Sequence, residues 1–298
     1  MPHLSKSLMS DKDKKAFCRY APSLGALEGT PEEVWGTPPY KCWKHLWEPT
    51  IFFGLYDFRD YIALWFHRGH KWVLWAGSDV RNLASGFAFN DGKLRILSKA
   101  LKGVFTRWIV RVVQGAENYV ENDWEGNQLA KMGVSVAGVC PSFMGQLDLP
   151  SSFAPAFPCN VYLSASEGRQ EEYGWGIVES IASWLPNHVF HLYGAAWKTE
   201  QPNVMVHGRV PKEQMNEEIK GYQIGLRLNE TDGFSEILAK AVLMGQYAVG
   251  KVKHPYIPSF DNDMDLILRL NKLAKEEEPN PARQWYRYNA NAYPWVSK

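Results

Sequence analysis

The sequence predicts an α/β protein whose 298 residues divide into two domains, at about 1–150 and 151–298. Three observations carry this prediction. First, residues 221–250 (GYQIGLRLNETDGFSEILAKAVLMGQYAVG) change period within one stretch. Ile224, Leu226 and Leu228 alternate as in a strand, and residues 229–233 form a turn cluster. Phe234, Ile237, Leu238, Ala241 and Val242 then recur at the spacing of one buried helix face. Gly245 closes that helix and Tyr247 to Val249 opens the next strand, completing a βαβ unit. Second, residues 50–80 and 160–194 repeat the same strand–helix–strand order. Third, a proline- and serine-rich run at 145–158 (GQLDLPSSFAPAFP) stands between them as a linker.

In chain order, residues 1–38 are polar, rich in glycine and proline, and read as an irregular lead segment. Residues 40–48 (YKCWKHLWE) interleave aromatics with bases. They predict a short amphipathic helix, with an acceptor or membrane surface as the alternative. TIFFGL at 50–55 is a buried strand, and 57–67 a helix with Phe58, Ile62, Ala63, Trp65 and Phe66 apolar. KWVLW at 71–75 is the next strand, running into Ala76-Gly77-Ser78-Asp79, where Asp79 suits a helix N-cap. Residues 93–113 carry helical period throughout. Lys99, Lys102, Arg107 and Arg111 share one half of the wheel, and Leu101, Phe105, Trp108 and Val112 the other. A packed helix with a solvated face and a basic amphipathic helix on anionic lipid are the two readings. A strand from 118, a helix at 123–132 and a strand at 134–139 end the first half at Cys140-Pro141.

The second half opens with a strand at 160–164, then Glu167-Gly168-Arg169, a helix at 173–184, and a strand at 189–193 that meets Gly194. A short strand at 204–207 leads into Gly208-Arg209-Val210-Pro211, with Pro211 at the first turn of a helix. Beyond residue 250 come a helix at 263–274, the break KEEEP, and an aromatic helix at 281–292 before Tyr293-Pro294-Trp295.

A turn at the carboxyl end of a parallel strand is where α/β sheets hold ligands. The amides of Gly233, Phe234 and Ser235 at the predicted helix start are expected to be free for a phosphate. Gly233 admits a bulky diphosphate to the backbone, and Arg227, just before the turn, is its cationic partner. In the plainer reading of the same helix, Glu236 and Lys240 are a surface pair four residues apart.

Residues 221–250 resemble the donor-binding signature of GT-B glycosyltransferases of the group 1, family 4-like type. That pattern runs Glu-Gly-Phe-Gly, an apolar stretch, a second Glu, then Ala-Met-Ala-Xaa-Gly. Here Asp232-Gly233-Phe234-Ser235 stands at its start, and Lys240 stands where the second Glu belongs. Trp75-Ala76-Gly77-Ser78-Asp79 resembles the cleft-facing loop of the family's acceptor domain, and Gly168-Arg169 its phosphate loop. Tyr173 takes the place of that loop's usual lysine. Over residues 50–298 the resemblance implies two Rossmann-like domains facing a cleft, with a terminal helix crossing back to the first. It implies a metal-independent, retaining transfer of a sugar from a nucleotide-diphosphate sugar to the hydroxyl of a glycan or lipid-linked acceptor. Asp232 and Asp79 then act on donor and acceptor. Gly77, Ser78, Arg169, Gly208, Val210, Arg227, Thr231, Gly233, Phe234, Ser235, Glu236 and Lys240 surround the nucleotide sugar, with Lys240 leaning towards the diphosphate and Glu236 towards the ribose.

Composition sets the bounds. A net charge of +1 excludes the broad basic footprint of a nucleic-acid binder. Cys18, Cys42, Cys140 and Cys159 form neither a CxxC pair nor a zinc spacing, and no metal site is expected. They read as reduced thiols of a cytoplasmic protein, with contact at the membrane surface the alternative placement. The start lacks an apolar signal core, and no apolar run reaches the ~18 residues that span a bilayer. No cofactor is implied beyond the donor itself. No GxGxxG follows a strand, which disfavours a dinucleotide enzyme such as an epimerase. The competing function is a GT-B protein that binds nucleotide sugars without catalysis, favoured by Lys240 and Tyr173.

Overall fold

The computed structural model describes residues 15–27, 29–87, 89–90 and 92–296. The chain forms two compact units. Unit 1 holds the residues up to Val120, Glu125–Val139 and the tail from Tyr293. Unit 2 holds Glu121–Trp124 and Cys140–Ala292. Each is built on a five-stranded parallel sheet with helices on its faces, the α/β class that the sequence predicts.

In unit 1 the strands are β1 (Phe17–Tyr20), β2 (Thr50–Phe53), β3 (Lys71–Leu74), β4 (Glu117–Val120) and β5 (Val136–Val139), lying side by side in chain order. The helices are α1 (Thr30–Trp35), α2 (Phe58–Phe66), α3 (Ser78–Ser85), α4 (Gly92–Ala100), α5 (Lys102–Val113) and α6 (Asp123–Lys131). Continuous apolar runs put β2 and β3 at the centre, where Ile51, Phe52, Val73, Leu74 and Trp75 are fully buried. Asp60 starts α2 by accepting the N–H groups of Tyr56 and Asp57, both at 2.9 Å. The tail closes this unit. Tyr293 and Trp295 stack on each other at 4.6 Å, and Trp295 meets the rings of Trp35 (6.0 Å), Trp72 (5.7 Å) and Tyr119 (5.3 Å).

In unit 2 the strands are β6 (Cys159–Ser164), β7 (His188–Tyr193), β8 (Val204–Gly208), β9 (Ile224–Arg227) and β10 (Tyr247–Gly250), in the order β10-β9-β6-β7-β8. The chain thus builds outward from β6 to β8, then returns to the other side of β6 for β9, so the order reverses between β6 and β9. α7 (Trp175–Ile181) and α10 (Asp263–Leu273) cover one face, with Trp175, Val178, Phe190, Leu226, Leu266 and Leu270 in the core. α9 (Glu236–Leu243) and α11 (Ala282–Asn289) cover the other, packed on Tyr162, Tyr193 and Ala248. α8 (Lys212–Glu218) precedes β9.

Four stretches differ from expectation. Residues 15–38 are not irregular: they carry β1 and α1. Arg19 of β1 is fixed by an ion pair to the buried Asp60 at 2.7 Å, a long-range contact that four residues of mixed polarity do not announce. Residues 40–48 form turns, not a helix, with Trp43 and Trp47 exposed. The helix over 93–113 is broken at Leu101 (φ −108°, ψ 32°) into α4 and α5. The last aromatic helix, α11, stays in unit 2, and the segment assigned to unit 1 is the tail after it.

Buried histidines make the fold acid-labile. Burial pushes His67, His191 and His254 down to about 4, and lowers His188 as well. A histidine that titrates lower when folded than when unfolded supplies stability above pH ~6.5 that is lost as pH falls towards its folded value. Asp79 works the other way: burial pushes it up to about 6, so its contribution is present at low pH and lost as pH rises through 6. In unit 1 Asp79 offsets most of the effect of the single histidine, His67, whereas unit 2 holds the other three. Between pH 7 and 5 unit 2 is expected to lose roughly 3 kcal/mol and unit 1 less than about 1 kcal/mol, read from urea midpoints at the two values. An unchanged midpoint would mean that the histidines stay solvated.

Candidate functional site

The sheet reversal in unit 2 sets the carboxyl ends of β6 and β9 side by side, the geometry at which parallel sheets open a ligand crevice. Arg169 follows β6 and Arg227 ends β9. Their guanidiniums both lie over the ring of Tyr173, at 4.9 and 4.2 Å from its centroid. The tyrosine at the expected lysine position therefore gathers two cations on one aromatic support, a geometry that favours arginine over lysine. Gly174 makes the close packing behind Tyr173 possible. It sits at φ +79°, and a Cβ there would lie 2.4 Å from that of Leu228, at the start of the turn after β9.

Both arginines carry carboxylate partners. Arg169 donates to Glu172 through Nε (2.8 Å) and Nη2 (2.7 Å), and this pair holds its proton more firmly than usual. Arg227 Nε donates to Asp232 Oδ2 at 2.5 Å. Arg169 and Glu172 are about half exposed, whereas Arg227 and Asp232 are mostly buried. Asp232 Oδ1 also accepts the N–H of Gly233 (3.0 Å), and its carbonyl accepts Asn122 Nδ2 (2.9 Å).

The helix after this turn starts later than the sequence suggests. Ser235 is extended (φ −72°, ψ 147°) and caps α9 by accepting the Leu238 N–H at 3.3 Å, so the first helical residue is Glu236. Two of the three amides expected to be free are engaged: Gly233 bonds Asp232, and the Phe234 N–H bonds Glu121 Oε2 at 2.9 Å. The other oxygen of Glu121 accepts the Ser142 hydroxyl. The turn thus attracts anions, as helix starts do, and meets that preference with carboxylates of the same unit.

Phe234 is a core residue, stacked on Tyr286 at 5.1 Å and set edge-on to His254. Lys240 is not on the surface: its Nζ donates to Asn216 Oδ1 (2.6 Å) and meets Glu236 Oε1 (2.8 Å). Glu236 is half exposed and also pairs with Lys212 at 3.0 Å. Burial pushes Glu236 up, but the two lysines outweigh it and leave the carboxyl below its usual range. Lys240 therefore ties α9 to α8. Thr231 lies in the turn, half-buried; Gly208 ends β8, and Val210 packs on the α9 side of the core.

Gly77, Ser78 and Asp79 form a separate cluster in unit 1. Gly77 precedes α3, and Ser78 Oγ bonds the Tyr56 hydroxyl at 2.8 Å. Asp79 is one residue inside the helix instead of at its N-cap. Its Oδ2 accepts the Leu55 N–H (3.0 Å), and its Oδ1 accepts Ala76 (3.0 Å) and Val80 (2.8 Å). The carboxylate joins the loops after β2 and β3 and is 1% exposed.

Three contributors escape the sequence. Glu121 and Asn122 reach the turn from more than a hundred residues away. His254, on the loop after β10, sits buried beside Asp232 and Gly233. A polar array that joins β6–β8 to α8 and the lead into β9 is the third: Asn160, His191, His207, Tyr222, Tyr193 and Glu218 link through bonds of 2.6–3.1 Å, with His207 set 3.6 Å from Glu218.

No protein-family model and no curated protein matches the chain. Solved structures do. The lipopolysaccharide outer core galactosyltransferase WaaB aligns over 94% of this chain and 96% of its own at TM-score 0.59 and 11% identity. The Anabaena protein HepE, solved with UDP and glucose, aligns over 93% and 95% at 0.50 and 11%. TarM aligns over 79% of this chain at 0.52 and 14%. The chain spans about half the length of TarM and of the GtfA/B structure, 50% and 53%. At these identities the likeness shows the fold, which is GT-B.

Proposed function

We propose that this chain, on its GT-B fold, is a glycosyltransferase that binds a nucleotide-diphosphate sugar in unit 2 and passes the sugar to an acceptor hydroxyl. One observation carries the reading: two guanidiniums share the Tyr173 ring where the sheet order reverses. As the bond from the anomeric carbon to the diphosphate oxygen breaks, the electron pair stays on the departing phosphate, while the acceptor oxygen bonds the anomeric carbon and its proton passes to that phosphate. Arg169 and Arg227 neutralise that charge, and the rigid ring keeps them in place beforehand. Arg169, on an exposed pair with Glu172, exchanges its carboxylate for phosphate at small cost. Asp232 fixes Arg227 and accepts from the donor sugar only where Arg227 turns to phosphate. The likeness to HepE, whose structure holds UDP and glucose, supports a uridine donor.

Arg227→Ala is expected to weaken a nucleoside diphosphate by about 1.5–3 kcal/mol while leaving the bare nucleoside unchanged, the value of a hydrogen bond to a charged group. Titration calorimetry reads both. Equal losses for the two ligands would move the diphosphate elsewhere. Activity is expected to survive EDTA, because the charge is met by side chains, and the product to retain the donor's anomeric configuration. A nucleotide-sugar binder without turnover is the second reading. It is favoured by the amide bonds that fill both oxygens of Asp79 and by the pairing of Asp232 with Arg227. Donor binding with no transfer to any acceptor would establish it.

A further inference from the structure

The segment from Gly92 to Val113 contains six basic residues, Lys93, Arg95, Lys99, Lys102, Arg107 and Arg111, and no acidic one, in a chain of 33 bases and 32 acids. All six are exposed, although Arg95 and Lys99 lie over the ring of Phe87 at 4.9 and 4.8 Å and Lys102 Nζ donates to the Ala84 carbonyl at 2.9 Å. The helices that carry them show apolar residues to solvent as well. In α4 the only buried residue is Ser98, while Ile96 is 72% exposed and Leu97 44%. Leu101 and Val104, at the break, are 45% and 64% exposed. The Leu101 N–H bonds the Leu97 carbonyl and the Val104 N–H that of Leu101, both at 2.9 Å, so Leu97, Leu101 and Val104 follow one another along one side. In α5, Ile109, Val112 and Val113 face the core, which leaves Val104, Arg107 and Arg111 on the opposite face. The neighbouring Trp108 meets the half-exposed Trp65 of α2 at 6.0 Å between ring centres. An aromatic at the edge of such a strip suits a boundary between hydrocarbon and water.

We propose that α4 and the outer face of α5 form a docking surface for an anionic lipid bilayer, with Ile96, Leu97, Leu101 and Val104 entering the headgroup region and the exposed bases, Arg107 and Arg111 foremost, meeting lipid phosphates. Charge complementarity names the occupant. A second copy of the chain would set six bases against six, and a neutral protein groove would leave them unpaired. The break at Leu101 fits this use, because it turns apolar residues of two short helices outward that one straight packed helix would bury. Among the described residues no helix is long and apolar enough to cross a membrane, so the attachment lies in the interface plane. The proposal stands on unit 1 alone and is independent of the donor site.

Vesicle sedimentation of the full chain tests it. Vesicles with about 30 mol% phosphatidylglycerol are expected to bind at low salt and pure phosphatidylcholine at least tenfold more weakly, since each base near an anionic leaflet contributes roughly fivefold. Raising salt to ~0.5 M should release most of the protein. Arg107→Gln with Arg111→Gln should weaken binding about 25-fold on the same footing. Ile96→Asp with Val104→Asp should abolish it, although all four positions are exposed and the melting temperature should hold. Equal partition onto both vesicle types, no partition onto either, or wild-type binding by both double variants overturns the proposal. So does preference for an acidic protein or an RNA over the anionic vesicles.

Discussion

Asp79→Ala is expected to destabilise unit 1 by about 3–5 kcal/mol, because it strands two buried N–H donors and a half-buried one at once. Leu55 belongs to the loop after β2, Ala76 to the loop after β3 and Val80 to α3. One carboxylate therefore spaces two strand ends and a helix start, with no solvent to take its place. Asp79→Asn separates charge from geometry. Its single carbonyl can keep either the Leu55 bond or the Ala76 and Val80 pair, so at least one amide loses its acceptor, a cost of about 1–3 kcal/mol. Both values come from urea unfolding of the full chain. If Asp79→Ala lies within about 1 kcal/mol of the parent, the clamp contributes little and the carboxylate is available for other chemistry.

Gly194→Ala is the second large effect. Gly194 follows β7 at φ +97°, and its N–H donates to the Gly208 carbonyl at 2.7 Å. A Cβ there would sit 2.3 Å from the Ala165 carbonyl oxygen, which is backbone and has no rotamer to yield. The loops after β6, β7 and β8 meet at this point. A single methyl must push the first of them away, and that loop leads to Arg169. The expected cost is about 3–5 kcal/mol, the sum of left-handed strain and displaced backbone. Because the crevice lies along the same sheet end, affinity for a nucleoside diphosphate should fall with it. Full stability in Gly194→Ala would show that the Ala165 loop moves freely.

Most of unit 2 was legible. β7, β8 and β10 each run into a glycine, and α9 carries a clear helical period. What was hidden follows from range and from local chemistry. Glu121 lies 113 residues from Phe234, and no periodicity encodes that bond. Ser235 moved the start of α9, since its side chain caps the helix as the turn residues before it do not. Tyr173 reads as the loss of a cation in a motif, whereas in space it is the surface on which two cations meet. In unit 1, β1 is short and of mixed polarity, so only its pairing with β2 and the Arg19–Asp60 contact define it. Lys240 reads as a surface partner of Glu236, and it does meet Glu236, but α9 is buried from Ile237 to Leu243, so the lysine lies inside and also reaches Asn216.

The stacked tail has a practical consequence for anyone dividing this protein. Tyr293 and Trp295 complete the ring cluster of Trp35, Trp72 and Tyr119, yet they are the last aromatics of this sequence and follow all of unit 2. A gene fragment ending near residue 139 would be translated without them and would leave a wet aromatic hollow where the tail belongs. Expression of unit 1 alone therefore calls for a permuted design that grafts residues 293–296 through a short glycine-rich connection. A purification tag is better placed at the front of the chain than fused directly behind Trp295.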